Sequence, residues 1–311
     1  MRNHRTVVLG ASVLALTLFA SACSSGGDDE ASPADGATSG AGVELTIGVS
    51  GAFPENQLVA EMYAQVLENA GYTINRELDI ADRELGDQAL ESGEIDLKPE
   101  YTGFELGFWD PDATTNGEPE EVASALQEAA AERGLTTYAI SPANSTNVFV
   151  TLPATAEEFG LTDLSSVAPV AGELVLGAPA ECPDQPFCLP GLRDTYGIEF
   201  GEVRPLDQGG RKTVAAIDAN VVDVAELFSL DPTITDKGYT VLTDDKNLQA
   251  NGNFVPLVRE EVATEELGTL LDSVTTALTD DNMREMVGQV VNEQRDVADV
   301  ASEFLSAQQL I

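Results

Sequence analysis

An α/β fold in two lobes of similar build is predicted for this chain, on two observations. Strand-like and helix-like segments alternate along most of its length, the pattern of parallel sheets flanked by helices. One αβ unit also occurs twice. Ala89-Leu90-Glu91-Ser92-Gly93-Glu94-Ile95-Asp96-Leu97 is a helix end, a turn and a strand, and Ala216-Ile217-Asp218-Ala219-Asn220-Val221-Val222-Asp223-Val224 repeats it. Both copies place an Asp on the second strand residue, Asp96 and Asp223.

The elements follow in order. Residues 24–42 are rich in Ser, Gly, Ala, Asp and Pro with no apolar period, and read as a disordered tether. Glu44–Val49 alternates as a strand does. A helix is expected from Pro54 to Ala70, because Pro54 suits a first turn, Gly71 suits a stop, and Leu58, Val59, Met62, Val66 and Leu67 share one face. Tyr72–Leu78 reads as a strand, Arg83–Glu91 as a short helix ended by Gly93, and Ile95–Leu97 as a short buried strand. Pro119–Arg133 is an Ala-rich helix before Gly134; Thr136–Ile140 and Val148–Leu152 are strands. Helices near Thr155–Phe159 and Gly191–Tyr196, a strand near Val203–Leu206 and a helix from Gly210 to Ala219 come next. Val222–Phe228 and Phe254–Val258 are strands, and Thr264–Gln308 is helical with turns near Asp280 and Asp296.

The first 22 residues carry an address. Arg2, His4 and Arg5 precede an apolar run from Val7 to Phe19, then Ala20, Ser21, Ala22 and Cys23. A short apolar stretch ending in small residues is a secretory signal, too short to span a membrane stably. A Cys at the cleavage point resembles the bacterial lipobox, which implies lipidation of Cys23 and a mature chain tethered to the extracytoplasmic face of the cell membrane. About 270 residues then remain, enough for two lobes with a substantial core.

Composition narrows the chemistry. With 54 acidic and 15 basic residues the formal charge is -39, so nucleic acid is a poor partner and attachment to anionic lipid falls to the acyl chain. The one His, His4, lies in the signal. Without a mature His, Ser-His-Asp and Cys-His catalysis and the usual zinc sites are excluded. No Gly-x-Ser-x-Gly elbow or metal-spaced cluster stands in its place, so no enzyme, metal or cofactor is expected. Cys182 and Cys188 enclose one short loop, Cys-Pro-Asp-Gln-Pro-Phe-Cys. In an exported chain this suggests a disulfide staple stabilising by about 2–3 kcal/mol.

Three stretches carry a family resemblance: Glu61-Met62-Tyr63-Ala64-Gln65, Ser92-Gly93-Glu94-Ile95-Asp96-Leu97, and Pro99-Glu100-Tyr101-Thr102-Gly103. They resemble the substrate-binding proteins of osmoprotectant ABC importers, which bind glycine betaine, carnitine or choline. Asp223–Asp231 and Gly191–Gly197 are similar to that family's second-lobe pattern. The similarity runs from about Val43 to the C-terminus. It implies a type II periplasmic-binding-protein fold, each lobe a mixed sheet flanked by helices, with the ligand cleft between lobes. Residues 43–143 would begin lobe I, 144–253 would form lobe II, and 254–311 would return to lobe I. The crossings would fall near Asn144–Val148 and Asn251–Pro256.

Quaternary ammonium groups donate no hydrogen bond and are held on aromatic faces. By resemblance the ligand contacts would include Phe53, Lys98, Tyr101, Thr102, Asn147 and Phe228. Phe228 stands where the family often has Tyr, and the family's Lys near Phe53 is replaced by Ser50, Gly51 and Ala52. Lys98 stands where a cage Tyr is frequent; Asn147 or Val148 falls at another, and Gln185 at an Arg. A Lys98 ammonium in the cleft would repel an onium ligand and favour a neutral or anionic one; strand alternation equally allows it to point to solvent. Gly209-Gly210-Arg211-Lys212-Thr213 opens a helix and is either an anion site or a turn with solvated charges. Phe108 and Trp109 either wall the cleft or pack elsewhere. The expected function is capture of a small osmoprotectant-like solute by a monomer and delivery to an ABC permease. The alternatives are a binding protein for a neutral or anionic solute, or a solute sensor of the same fold.

Overall fold

The computed structural model describes residues 40–51 and 53–311. The signal segment, Cys23 and most of the tether lie outside them. The fold takes in three residues expected in the tether: Gly40 is buried and its N–H donates to Ala70 O at 3.0 Å.

The first sheet uses β1 (Glu44–Ser50), β2 (Thr73–Ile80), β3 (Leu97–Tyr101) and β4 (Leu135–Thr137), with α1 (Pro54–Asn69), α2 (Arg83–Ser92), α3 (Thr102–Trp109) and α4 (Pro119–Ala131) between them. The second uses β5 (Asn147–Thr151), β6 (Val175–Pro179), β7 (Glu202–Leu206), β8 (Val224–Phe228) and β9 (Thr240–Leu242). β10 (Phe254–Arg259) returns to the first sheet, and helices Glu265–Thr275, Asp280–Val291 and Val297–Ala307 close the chain. Strand order is β2-β1-β3-β10-β4 in one sheet and β7-β6-β8-β5-β9 in the other.

Both sheets are mixed rather than parallel. β10 is antiparallel to β3 and β4, and β5 is antiparallel to β8 and β9. β5 and β10 are the strands that enter from the other sheet, so no βαβ crossover sets their direction. Alternation along the chain places both strands, expected at Val148–Leu152 and Phe254–Val258, but not their directions, and it misses β6, β9 and α3. The strand expected at Ile95–Leu97 begins at Leu97 and runs on through the Pro-Glu-Tyr motif.

The repeated αβ unit has a physical cause. The Asp96 carboxylate accepts the Thr46 N–H at 2.8 Å, and the Asp223 carboxylate accepts the Val175 N–H at 2.8 Å. Their own N–H groups donate to Thr46 O and Val175 O. Each Asp immediately precedes its strand and fastens it to the start of the parallel neighbour, β3 to β1 and β8 to β6.

α1 and the three C-terminal helices cover one face of the first sheet around Leu58, Met62, Leu97, Phe254, Leu271 and Met283. Inside that core Tyr63 Oη and Thr275 Oγ1 share a hydrogen bond of 2.7 Å. The second sheet buries Phe149, Leu176, Leu192 and Val224 on one side and Val150, Ile217 and Leu227 on the other.

The segments passing between the sheets run side by side. Asn144 and Asn253 form an isolated antiparallel bridge, Ser145 N–H donates to Gly252 O at 2.9 Å, and Gly252 N–H donates to Asn144 Oδ1 at 2.7 Å. A Cβ on Gly252 would stand 1.6 Å from Ser145 O, so only glycine lets the two segments approach this closely.

Candidate ligand-binding cleft

The cleft begins at strand ends. Phe53 is the N-cap of α1, just after β1; Tyr101 ends β3 and caps α3; Phe228 ends β8. The first N–H groups of α3 donate back to the crossing segment, Thr102 to Asn253 O and Gly103 to Asn251 O, which fixes Tyr101 at the junction. The side chains line a cavity of about 400 Å³ with residues of both sheets in its wall.

Five rings form a continuous belt around it. Phe53 meets Phe228 edge to face at 5.3 Å and Tyr101 at 6.4 Å. Tyr101 meets Phe104 at 6.3 Å, and Phe104 meets Phe187 at 5.3 Å. Phe53, Tyr101 and Phe104 come with the first sheet; Phe187 and Phe228 come with the second, and all five line the cavity. Tyr101 Oη donates to Glu55 Oε1 at 3.3 Å, and Ser145 Oγ donates to the same oxygen at 3.1 Å. Burial holds the Glu55 carboxyl above its ordinary value, although those two hydrogen bonds act the other way.

The two cations in the wall are consumed by carboxyl groups. Lys98 Nζ contacts Asp87, Glu100 at 3.1 Å and Glu105 at 3.2 Å. Arg83 pairs with Glu100 at 2.8 Å, and its Nε stands 2.8 Å from Glu105 as an ion pair. Burial alone would lower the Lys98 pKa; the Glu105, Glu100 and Asp87 charges outweigh it and keep the ammonium charged. Burial also works to raise Glu100, but Arg83 and Lys98 hold it down to about 2. Burial pushes the Glu105 carboxyl well above its ordinary value, against the pull of the Lys98 and Arg83 charges.

Across the cavity Glu226 on β8 is 6% exposed. Burial and the neighbouring Glu181 carboxylate push it up to about 8. The Cys182 and Cys188 sulfurs meet here, with Cα atoms 5.2 Å apart, and Cys188 Sγ lies 3.1 Å from Glu226 Oε2.

Residues 43–307 match the family described as the substrate binding domain of ABC-type glycine betaine transport systems. The chain belongs to this family. Among curated relatives it is 26% identical over 263 residues to the glycine betaine-binding protein YehZ of Escherichia coli K12, covering 81% of this chain and 86% of YehZ. Among solved structures it is similar to a glycine betaine/carnitine/choline ABC transporter protein, with TM-score 0.72 and 22% identity, covering 86% of this chain and 99% of the other. It also resembles a choline-binding protein solved with choline, with TM-score 0.58 and 17% identity over 86% and 89% of the two chains. These likenesses show the type II periplasmic-binding-protein fold. Members of this family are transport substrate-binding proteins. Among the described residues no helix is long and apolar enough to cross a membrane.

For this substrate-binding protein the structure brings together Phe53, Tyr101, Asn147, Gln185 and Phe228 at the cavity. Thr102 is not there: it is fully buried, and its hydroxyl donates to Asn251 O at 3.3 Å in the crossing segment. Lys98 lines the cavity wall with its ammonium caged, so it is neither a free cleft cation nor a solvated one. Val148 packs behind the second sheet. Phe108 reaches the cavity while 47% exposed, whereas Trp109 donates to Asp87 at 2.9 Å beneath the Arg133 guanidinium. The helix start at Gly209–Thr213 is closed by its own chain: Asp207 accepts from the Lys212 and Thr213 N–H groups. Phe104 and Phe187 went unnoticed in the sequence. The available signal was an aromatic residue held between two nearby cysteines.

Proposed function

We propose that the protein captures a quaternary ammonium solute of the glycine betaine and choline class and delivers it to an ABC permease. The carrying observation is the five-ring belt from Phe228 to Phe187, which spans both sheets around one cavity. Ring faces attract an onium group that can make no hydrogen bond, each contributing about 0.5–2 kcal/mol. Phe53, Tyr101, Phe104, Phe187 and Phe228 are the contacts proposed for it, with Asn147 at the edge. Residues 43–143 with 254–311, and residues 144–253, act as hinged lobes about the paired crossings at Asn144 and Asn253. The names of the relatives, a glycine betaine-binding protein and a choline-binding protein, support this ligand class. An anionic solute loses its support, because Lys98 and Arg83 are both neutralised.

Cys182 and Cys188 are proposed to be disulfide-bonded, which holds Phe187 and Gln185 against the cavity. Acylation of Cys23 would tether the mature monomer outside the membrane, in reach of the permease; mass spectrometry of the N-terminal peptide tests it.

Thermal unfolding tests the ligand class. Glycine betaine, choline, carnitine or proline betaine should raise the melting temperature, by an amount equivalent to about 2.7 kcal/mol at a hundredfold excess over Kd. Polyols and ordinary amino acids should not. A shift with the latter alone contradicts the reading.

A further inference from the structure

Glu226 is an unusual wall for a cavity. It lines the cavity together with Phe228, two residues further along β8, and alternate residues of a strand share a face. Its cross-strand partner on β5 is Phe149, and the facing residues of β6 carry no charge. Glu181 is the charged group that bears on it, and Glu181 itself accepts from Gln208. Among the described residues no N–H or O–H donates to the Glu226 carboxyl; its polar neighbour is the Cys188 sulfur, which has no hydrogen to give once bonded to Cys182. A buried carboxyl held this way lacks the donors that such a group ordinarily requires. The cavity also holds Asn56, whose Oδ1 is buried without a donor while its Nδ2 is turned to Pro99 O. Spare acceptors, with both wall cations consumed, suit a ligand that is positive and has no carboxylate of its own.

We infer that Glu226 is a specificity-determining contact of this same cleft: its carboxyl meets the onium group of a cationic solute that lacks a carboxylate, and releases its proton to solvent as that solute binds. The inference rests on the quaternary-ammonium reading of the cleft and narrows it to the choline type. A zwitterion such as glycine betaine would bring a further negative charge beside Glu226 and Glu181 and, among the described residues lining the cavity, find no unpaired cation to balance it. The raised carboxyl of Glu226 places the proton release near neutral pH. Choline affinity therefore increases with pH, because the ionised form that the ligand needs is scarce at pH 6 and abundant at pH 9.

Isothermal titration of the purified protein with choline and with glycine betaine, at pH 6 and pH 9 and in buffers of differing ionisation enthalpy, tests this. Choline should bind more tightly than glycine betaine, gain roughly tenfold or more in affinity between pH 6 and pH 9, and release a proton near pH 7. Glu226→Gln should flatten the pH profile and remove most of the choline preference. Choline binding that is flat with pH and indifferent to Glu226→Gln overturns the inference and leaves the proposed function standing. So does glycine betaine binding that strengthens towards pH 6, the sign expected if neutral Glu226 donates to the ligand's carboxylate. Failure of both solutes to bind at either pH overturns the proposed function and this inference together.

Discussion

Phe53 and Phe228 meet edge to face with ring centroids 5.3 Å apart, one carried by the first sheet and the other by the second. Both rings line the cavity, so an onium group held there would lie against them. Phe53→Ala and Phe228→Ala should each weaken binding of a quaternary ammonium ligand by about 0.5–2 kcal/mol, roughly two- to thirtyfold, with little change in melting temperature. Phe228→Tyr keeps the ring face and should retain affinity. Calorimetry on the three variants checks this; unchanged affinity in both alanine variants would place the ligand elsewhere.

Lys98 answers to three carboxyl groups, so its role is structural. Removing its charge leaves Asp87, Glu100 and Glu105 buried with Arg83 alone. Lys98→Met should cost about 3–5 kcal/mol of stability, the usual penalty for breaking a buried pair by one partner. Urea denaturation measures it. A variant of native stability that loses ligand affinity would instead make Lys98 a ligand contact.

Much of the architecture was legible because its signals are local. The Asp96 and Asp223 units repeat in sequence since each makes the same bond to a neighbouring strand. Strand directions were less legible: β5 and β10 run antiparallel because they arrive by the crossings. The site was half visible. Phe53, Tyr101 and Phe228 stand at motif positions, whereas Phe187 reaches the cavity only through the fold of its cysteine loop. Lys98 defeated the alternation rule for a physical reason. β3 lies between β1 and β10 and is buried on both faces, so cleft and solvent were not its only choices. Its partners come from α2, β3 and α3, and no spacing along the chain announces that they converge.

Stability without ligand should carry the mark of two carboxyls of opposite sign. Glu226 is held up to about 8, so the folded chain keeps its proton where the unfolded chain has lost it. The stability of neutral Glu226 is whole below the ordinary value of 4.5 and is lost as pH rises through about 8. Glu226→Gln should therefore match the wild type near pH 4 and exceed it in melting temperature at pH 9. Glu100, held down to about 2, contributes stability above pH 4.5 that is lost as pH falls through about 2. Melting curves across pH show both limbs; equal melting of Glu226→Gln and wild type at pH 9 would refute the first.

At the crossing, Gly252→Ala would force a Cβ into the Ser145 carbonyl. The two segments must part, so the substitution should lower the melting temperature and weaken ligand capture together. Calorimetric melting and binding both check it, and a neutral outcome would show that the crossing segments separate freely.

A loop staple also predicts a double effect. Cys182→Ser with Cys188→Ser should lower stability by about 2–3 kcal/mol and reduce affinity, because Phe187 loses its fixed position. Thiol titration of the unfolded, unreduced wild type should find neither Cys182 nor Cys188 free.

The central claim is that a ring of aromatic faces between the two sheets holds an onium group. A crystal structure of the protein grown with choline measures this most directly. The claim predicts the choline nitrogen inside the cavity, within about 6 Å of the Phe53, Tyr101 and Phe228 ring centroids. Choline bound outside that belt, or a cavity left empty at saturating choline, would contradict it.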